Sequence, residues 1–249
     1  IDGELAAVRA EHAPDALVLD AESDFETLPP ARAEELGLVV DGLEPASYPA
    51  EWLPADAPEL LARYAGGEFT IGLPGDGSVV WTRQTDPPVV IVKPRVSGSP
   101  GSFVDFLIAE ALVAAGSDAP ESFLPFFGAE YRALDAAVPL EPSGVYQLAN
   151  ALYDAWVGLQ TREQFRAWEA TNPRLFDAWN DAGSRLGGRL TTLPEAVARG
   201  GTSFPEATEY ACSAVKHGPE LPAPFAAPDT QALVEYGPEY GVWPLYISD

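Results

Sequence analysis

Apolar positions recur in short alternating or continuous runs through the first hundred residues and at helical spacing through most of the remaining chain. Asp2 to Glu11 reads as a short amphipathic helix, with Leu5 and Val8 on one side and Pro14 closing it. Ala16-Leu17-Val18-Leu19 is an apolar run of strand length. Pro29-Pro30 opens a helix through Leu36, which Gly37 ends. Residues 44–58 are rich in proline, but Tyr48 and Trp52 are costly to leave in water, so the stretch reads as an ordered loop. A helix is expected from Ala57 to Ala65, stopping at Gly66-Gly67.

The clearest strand pattern comes next. Phe69-Thr70-Ile71 and Val79-Val80-Trp81-Thr82 flank the turn residues Pro74-Gly75-Asp76-Gly77, and Val89-Val90-Ile91-Val92 comes after Pro87-Pro88. Together they predict a three-stranded antiparallel meander over residues 68–93. So small a sheet must pack on helices to be stable.

From Ser102 the period is helical. Helices are expected over Phe103–Ala115, within 120–137, over Ser143–Leu159, Glu163–Ala170, Arg174–Leu186, Pro194–Arg199 and Pro205–His217. The stripe Val145, Leu148, Leu152, Trp156 and Leu159 marks the core face of the best-defined one. The proline-rich stretch 219–249 is expected to wrap the body as extended chain, with a strand near 242–247. The predicted fold class is α+β, predominantly α-helical with a small antiparallel meander. One domain over 1–249 is the simplest organisation; the alternative divides a β-containing part, 1–96, from a helical part, 97–249, at the Ser/Gly-rich stretch Ser97–Ser102.

Charge says more about habitat than hydropathy does. Of 249 residues, 14 are basic and 38 acidic, a net charge of −24. Two of the basic residues are lysine, Lys93 and Lys216, and the other twelve arginine. The acids are spread along the chain rather than blocked. At 1 M salt the Debye length is about 3 Å, so such a surface is screened, whereas in dilute buffer it repels itself. The composition therefore points to a protein adapted to concentrated salt, and it argues against non-specific nucleic-acid binding. No apolar run reaches the roughly 18 residues of a transmembrane helix, so no membrane association is expected. The acidic start carries no signal-peptide pattern, and a chain without methionine suggests that Ile1 is not the translation start.

Strong catalytic motifs are absent: there is no Gly-rich nucleotide loop, no His-Glu-x-x-His and no Gly-x-Ser-x-Gly. Two histidines and one cysteine leave little for a metal site, and no cofactor or metal is expected. Two weaker constellations remain. Lys93 and Arg95 precede a loop containing Ser99, Gly101 and Ser102 that enters a helix, and Arg83 stands on the neighbouring strand; this is a candidate anion site. The bland reading is a helix cap beside surface ion pairs. Phe103, Phe106, Leu107, Glu110 and Ala114 share one helix face, which puts the Glu110 carboxylate among apolar side chains. Glu110, or Asp105 nearby, is then a candidate general base, or a structural carboxylate paired with an arginine or tyrosine. Cys212 and His217 are five residues apart, about 140° around a helix, so Cys212 reads as a core residue. Tyr146, Asn150, Tyr153 and Asp154 form a second, mixed face on the long helix and are read as an interface.

Three blocks carry a resemblance: Pro45-Ala-Ser-Tyr-Pro-Ala-Glu-Trp-Leu-Pro54, the meander through Trp81-Thr-Arg-Gln-Thr-Asp-Pro-Pro88, and Leu221-Pro-Ala-Pro-Phe-Ala-Ala227. Over most of its length the chain resembles an uncharacterised family of haloarchaeal proteins. The resemblance implies habitat and cytoplasmic location and no activity. Two functions stay open. One is a non-catalytic binding or assembly protein with a protein or ribonucleoprotein partner, which should show a large exposed apolar patch and no deep cleft. The other is a small hydrolase or transferase acting on a phosphorylated substrate held at Ser97–Ser102, with Glu110 as base; there, Glu110 and the loop should meet in one cavity.

Overall fold

The computed structural model of the chain describes residues 3–73 and 77–218. The turn residues 74–76 and the stretch 219–249, with its expected strand, lie outside them. In chain order the elements are α1 (Gly3–His12), β1 (Leu17–Asp20), α2 (Pro30–Leu36), β2 (Gly42–Leu43), α3 (Glu59–Ala65), β3 (Val79–Thr82), β4 (Thr85–Asp86), β5 (Val89–Val92), α4 (Gly101–Ala115), α5 (Phe123–Phe127), α6 (Glu130–Ala137), α7 (Pro142–Thr171), α8 (Pro173–Ala198) and α9 (Phe204–His217). The fold is α+β and mostly helical.

The sheet differs from a meander. Val79–Thr82 and Val89–Val92 do pair antiparallel, but the third strand is β1, parallel to β5 with Leu17 opposite Val89. Residues 69–71 form no strand. β5 is buried at every position, and it takes the centre of the sheet because β-branched apolar side chains suit a strand covered on both faces. Ile71 instead packs against the sheet from one side, among Leu36, Val80, Val89 and Ile91. β2 and β4 make a separate two-stranded antiparallel ladder.

Two expected helix breaks are not breaks. Residues 143–159 and 163–170 belong to one helix of 30 residues, α7, because nothing between them removes a backbone donor. α8 likewise runs 26 residues through Pro194, whose ring sits on the exposed side of the helix. The expected break at Asn172-Pro173 is present: Asn172 leaves helical geometry, and Pro173 starts α8 at a position where its missing N–H costs nothing. α9 begins at a Ser-x-x-Glu cap, with Ser203 Oγ accepting from the Glu206 N–H at 3.3 Å, and ends on Gly218 at φ +63°.

One core joins the sheet to the helices. Val90 and Val92 pack with Phe106 and Leu112 of α4, and onward with Phe165, Trp168, Leu175 and Trp179 of α7 and α8. A second core lies under α3, α5 and α6, around Tyr64, Phe123, Tyr131, Tyr146 and Trp156. α9 packs most extensively on α7 and also on α8, so its C-terminal end reaches α4.

Candidate functional site

α4 exposes its first turn and buries its middle. Phe106 is about 1% exposed, whereas Pro100 and Ser102 at its start are open. α8 and α9 lie beside that first half, and a cavity of about 320 Å³ forms among the three helices. Its apolar wall comes from Phe103, Phe106, Leu107, Ala178, Ala182 and Leu186. Its polar lining is Ser102, Glu110, Asp181, Arg185, Ser213, Lys216 and His217.

The Lys216 ammonium lies 2.6 Å from Glu110 Oε1, with both side chains largely buried. Burial opposes the ammonium's charge, but the carboxylates of Glu110 and Asp154 outweigh it and raise its pKa above the usual lysine value. His217 stands next to it, its ring 6.3 Å from Phe106 and 6.0 Å from Trp179. Burial first, and the Lys216 charge second, hold the imidazole down to about 4, so it is neutral at pH 7. The lining thus carries two carboxylates, two cations and a neutral imidazole.

Two glycines allow α9 to come this close. A Cβ at Gly158 in α7 would lie 2.6 Å from Lys216 Cβ and Cγ, and one at Gly183 in α8 would lie 2.8 Å from His217 Cβ. The last turn of α9 is seated between these two bare backbones, and that aims Lys216 at α4. The sequence signals of this arrangement are glycines inside long helices, and one of only two lysines beside one of only two histidines.

The cavity brings together Glu110 and Ser102 and adds five polar residues the spacing did not reveal: Asp181, Arg185, Ser213, Lys216 and His217. It does not gather the expected cations. Lys93 is fully buried under the sheet's other face, its ammonium 4.7 Å from the Phe25 ring centroid. Arg95 pairs with Asp24 at 2.8 Å and Glu26 at 3.4 Å and donates to the Phe25 carbonyl at 3.1 Å. Arg83 lies at the opposite end of the β3–β5 pair from Lys93, for an antiparallel ladder puts Thr82 against Val89 while Lys93 N–H donates to Ser78 O. Its guanidinium donates to the Ser117 carbonyl at 2.6 Å and to that of Ala119. Strand direction therefore sets Arg83 apart from Lys93 and Arg95, which both lie beside Phe25. Ser99 and Gly101 are exposed and line no part of the cavity. Asp105 points away from it and pairs with Arg174 at the start of α8.

The mixed face of α7 is also rearranged. Tyr146 is buried edge-on against Phe123, its centroid at 4.9 Å, and Tyr153 is buried and donates to the Pro120 carbonyl. As they stand these two are core, not an open contact surface, because α5 and α6 fold back over them. Asn150 and Asp154 remain accessible and, with Tyr153, Trp81 and Glu121, line a smaller cavity of about 150 Å³. Cys212 packs with Ala151 and Ala155 away from His217, and burial pushes its thiol up to about 12, far from a nucleophile's range.

Among the described residues no helix is long and apolar enough to cross a membrane. The chain belongs to a family of unknown function (DUF7089), whose model matches residues 1–244. No match to the chain was found among curated proteins or among solved structures.

Proposed function

We propose that this is a salt-adapted cytoplasmic binding protein whose cavity between α4, α8 and α9 holds a small molecule with an anionic head and an apolar body. One observation carries the reading: Ser102 at the start of α4 lines the same cavity as Arg185 and Lys216. A helix N-terminus and two cations favour a carboxylate or phosphate head, and serine hydroxyls add donors. Phe103, Phe106 and Leu107 offer the rest of the ligand an apolar wall. The volume, about 320 Å³, sits at the small end of ligand cavities.

Glu110 supports holding rather than proton abstraction in this reading, because its carboxylate is committed to Lys216 and keeps that ammonium in place. The phosphorylated ligand of the alternative expectation is taken over here as a bound ligand, carried by Arg185 and Lys216 in place of Lys93, Arg95 and Arg83. The charge of −24 and the scarcity of lysine support a salt-rich interior, as does the resemblance to haloarchaeal proteins.

The test is n-hexyl phosphate against n-hexanol, read by thermal unfolding in 2 M KCl. The phosphate ester should raise the midpoint, as any ligand that binds only the folded state does, and hexanol should not. Arg185→Gln should weaken the phosphate effect about tenfold, the loss of one charge-assisted contact. No shift with the ester, or an equal shift in Arg185→Gln, overturns the reading. Dialysis from 2 M KCl into dilute buffer tests the habitat: circular dichroism should report loss of the cooperative fold, and a fold that persists unchanged removes the salt-adaptation argument.

A further inference from the structure

Beyond the cavity of α4, α8 and α9, and independent of it, a second surface has the marks of an interface. Of the large apolar side chains exposed among the described residues, Leu38, Val39, Leu43 and Phe204, three stand within six residues, from just after α2 to the end of β2. Leu38 is 86% exposed. Single exposed apolar residues need no explanation, but three together beside an apolar groove do. That groove, about 290 Å³, opens between α2, the end of β1 and the segment that joins them. Val39 forms part of its wall, and Leu19, Phe25, Leu28, Leu36 and Ile91 also line it.

The charge around the groove selects what can cover it. Asp20, Glu22 and Glu35 line it with a single cation, Arg32, which already bridges Glu22 at 2.9 Å and Glu35. From Ala33 to Glu44 the sequence adds Glu34, Asp41 and Glu44 and no base, and on the Phe25 side Arg95 is held by Asp24 and Glu26. A second copy of the chain would present the same acidic rim to itself. Residues 219–249 of this chain carry five carboxylates and no basic residue, so they too are mismatched. Nucleic acid and anionic lipid are repelled for the same reason. We propose that the α2 groove docks a lysine- or arginine-bearing amphipathic segment of a partner protein, its apolar side chains on Leu36, Leu38 and Val39 and its cations on Asp20, Glu22 and Glu35. In concentrated salt long-range attraction and repulsion are screened, so the apolar contact supplies the affinity and ion pairs in direct contact set the choice of partner.

The probe is a fluorescein-labelled peptide of about 18 residues, long enough to form a helix, built of leucine and lysine with the leucines on one helical face. A scrambled peptide of the same composition, lacking that face, is the control for attraction to a chain of charge −24. Anisotropy titrations use the full chain in molar KCl. The amphipathic peptide should bind at least about tenfold more tightly than the scrambled one, and Leu38→Asp with Val39→Asp should abolish that margin. Phe204→Asp, an exposed apolar residue elsewhere, should leave it intact. If the double variant loses its circular dichroism, Leu38→Ser alone serves, with the same expected direction. Equal binding of the two peptides, or of wild type and the α2 variants, overturns the proposal. So does reversible dimerisation in sedimentation that the α2 variants abolish, which would make a second copy the occupant.

Discussion

The three-stranded sheet is covered unequally on its two faces. On one, Val18, Val79, Trp81, Val90 and Val92 meet α1 and α4, and the packing continues without a gap to Phe165, Trp168 and Trp179. On the other, among the described residues, Leu17, Leu19, Val80, Val89 and Ile91 meet the seven-residue α2 and loop residues such as Phe25, Leu28 and Ile71. The first face holds the sheet to the helical body. The second is thin enough to leave a groove and a row of exposed apolar side chains. The proposed cavity lies on the helical side, between helices of 14 to 26 residues; the proposed docking groove lies on the thin side.

The largest test of this contrast is Phe165→Ala. The ring is fully buried in the thick side, and its loss should cost about 3–5 kcal/mol. Leu36→Ala, the matching deletion on the thin side, should cost about 2 kcal/mol, at the low end of such substitutions because α2 can settle onto the groove. Denaturant midpoints in molar KCl measure both, and equal losses would end the claim that the faces differ.

A pH series probes the helical side. The His217 imidazole has a folded pKa of about 4, below its unfolded value of about 6.5. Between those values the unfolded chain takes up a proton that the folded chain refuses. Stability contributed by the neutral ring is therefore complete above pH 6.5 and is lost as pH falls toward 4, by up to about 3 kcal/mol. Carboxylates titrate in both wild type and His217→Gln, so the difference between their denaturation midpoints isolates the ring. It should narrow as pH falls from 7 to 5, and parallel curves would mean that the imidazole is not held neutral.

A smaller but cleaner effect is expected at Gly158→Ala. The new methyl meets the Lys216 backbone as well as its side chain, so α9 must move, at about 1–3 kcal/mol. The same substitution should weaken n-hexyl phosphate binding if Lys216 faces the ligand. Smallest of all, Leu38→Asp should change stability by no more than about 0.5 kcal/mol, since among the described residues that side chain is 86% exposed; a greater loss would make Leu38 a structural residue.

Local pattern settled a good deal. Helix starts at Pro142, Pro173 and Ser203, and the stop at Gly218, come from residues whose backbone chemistry acts within one turn. The placement of Glu110 on an apolar face of α4 also came from spacing alone, and so did the separation of Cys212 from His217. These are properties of a single helix, and a period of 3.6 residues carries them.

Where two elements must meet, sequence spacing carried little. The apolar run at 69–71 is as strand-like as the one at 17–20, and only the competition for the edge of β5 decided that β1 pairs and 69–71 does not. Arg83 is near Lys93 and Arg95 in sequence but was set apart from them by the antiparallel reversal, and Arg95 and Arg83 were taken up by carboxylates and carbonyls that sequence distance hides. Tyr146 and Tyr153 alternate with polar residues as an open face would, and became core because α5 and α6 fold over them. Lys216 met Glu110 across 106 positions because two glycines let three helices close to backbone distance. Which residues form most of the helices, which face of each is apolar and how much charge the surface must carry were legible in the chain, since these depend on nearest neighbours and on totals. Which carboxylate meets which cation, and which apolar face stays uncovered, emerged only on folding, because packing in three dimensions sets those pairings.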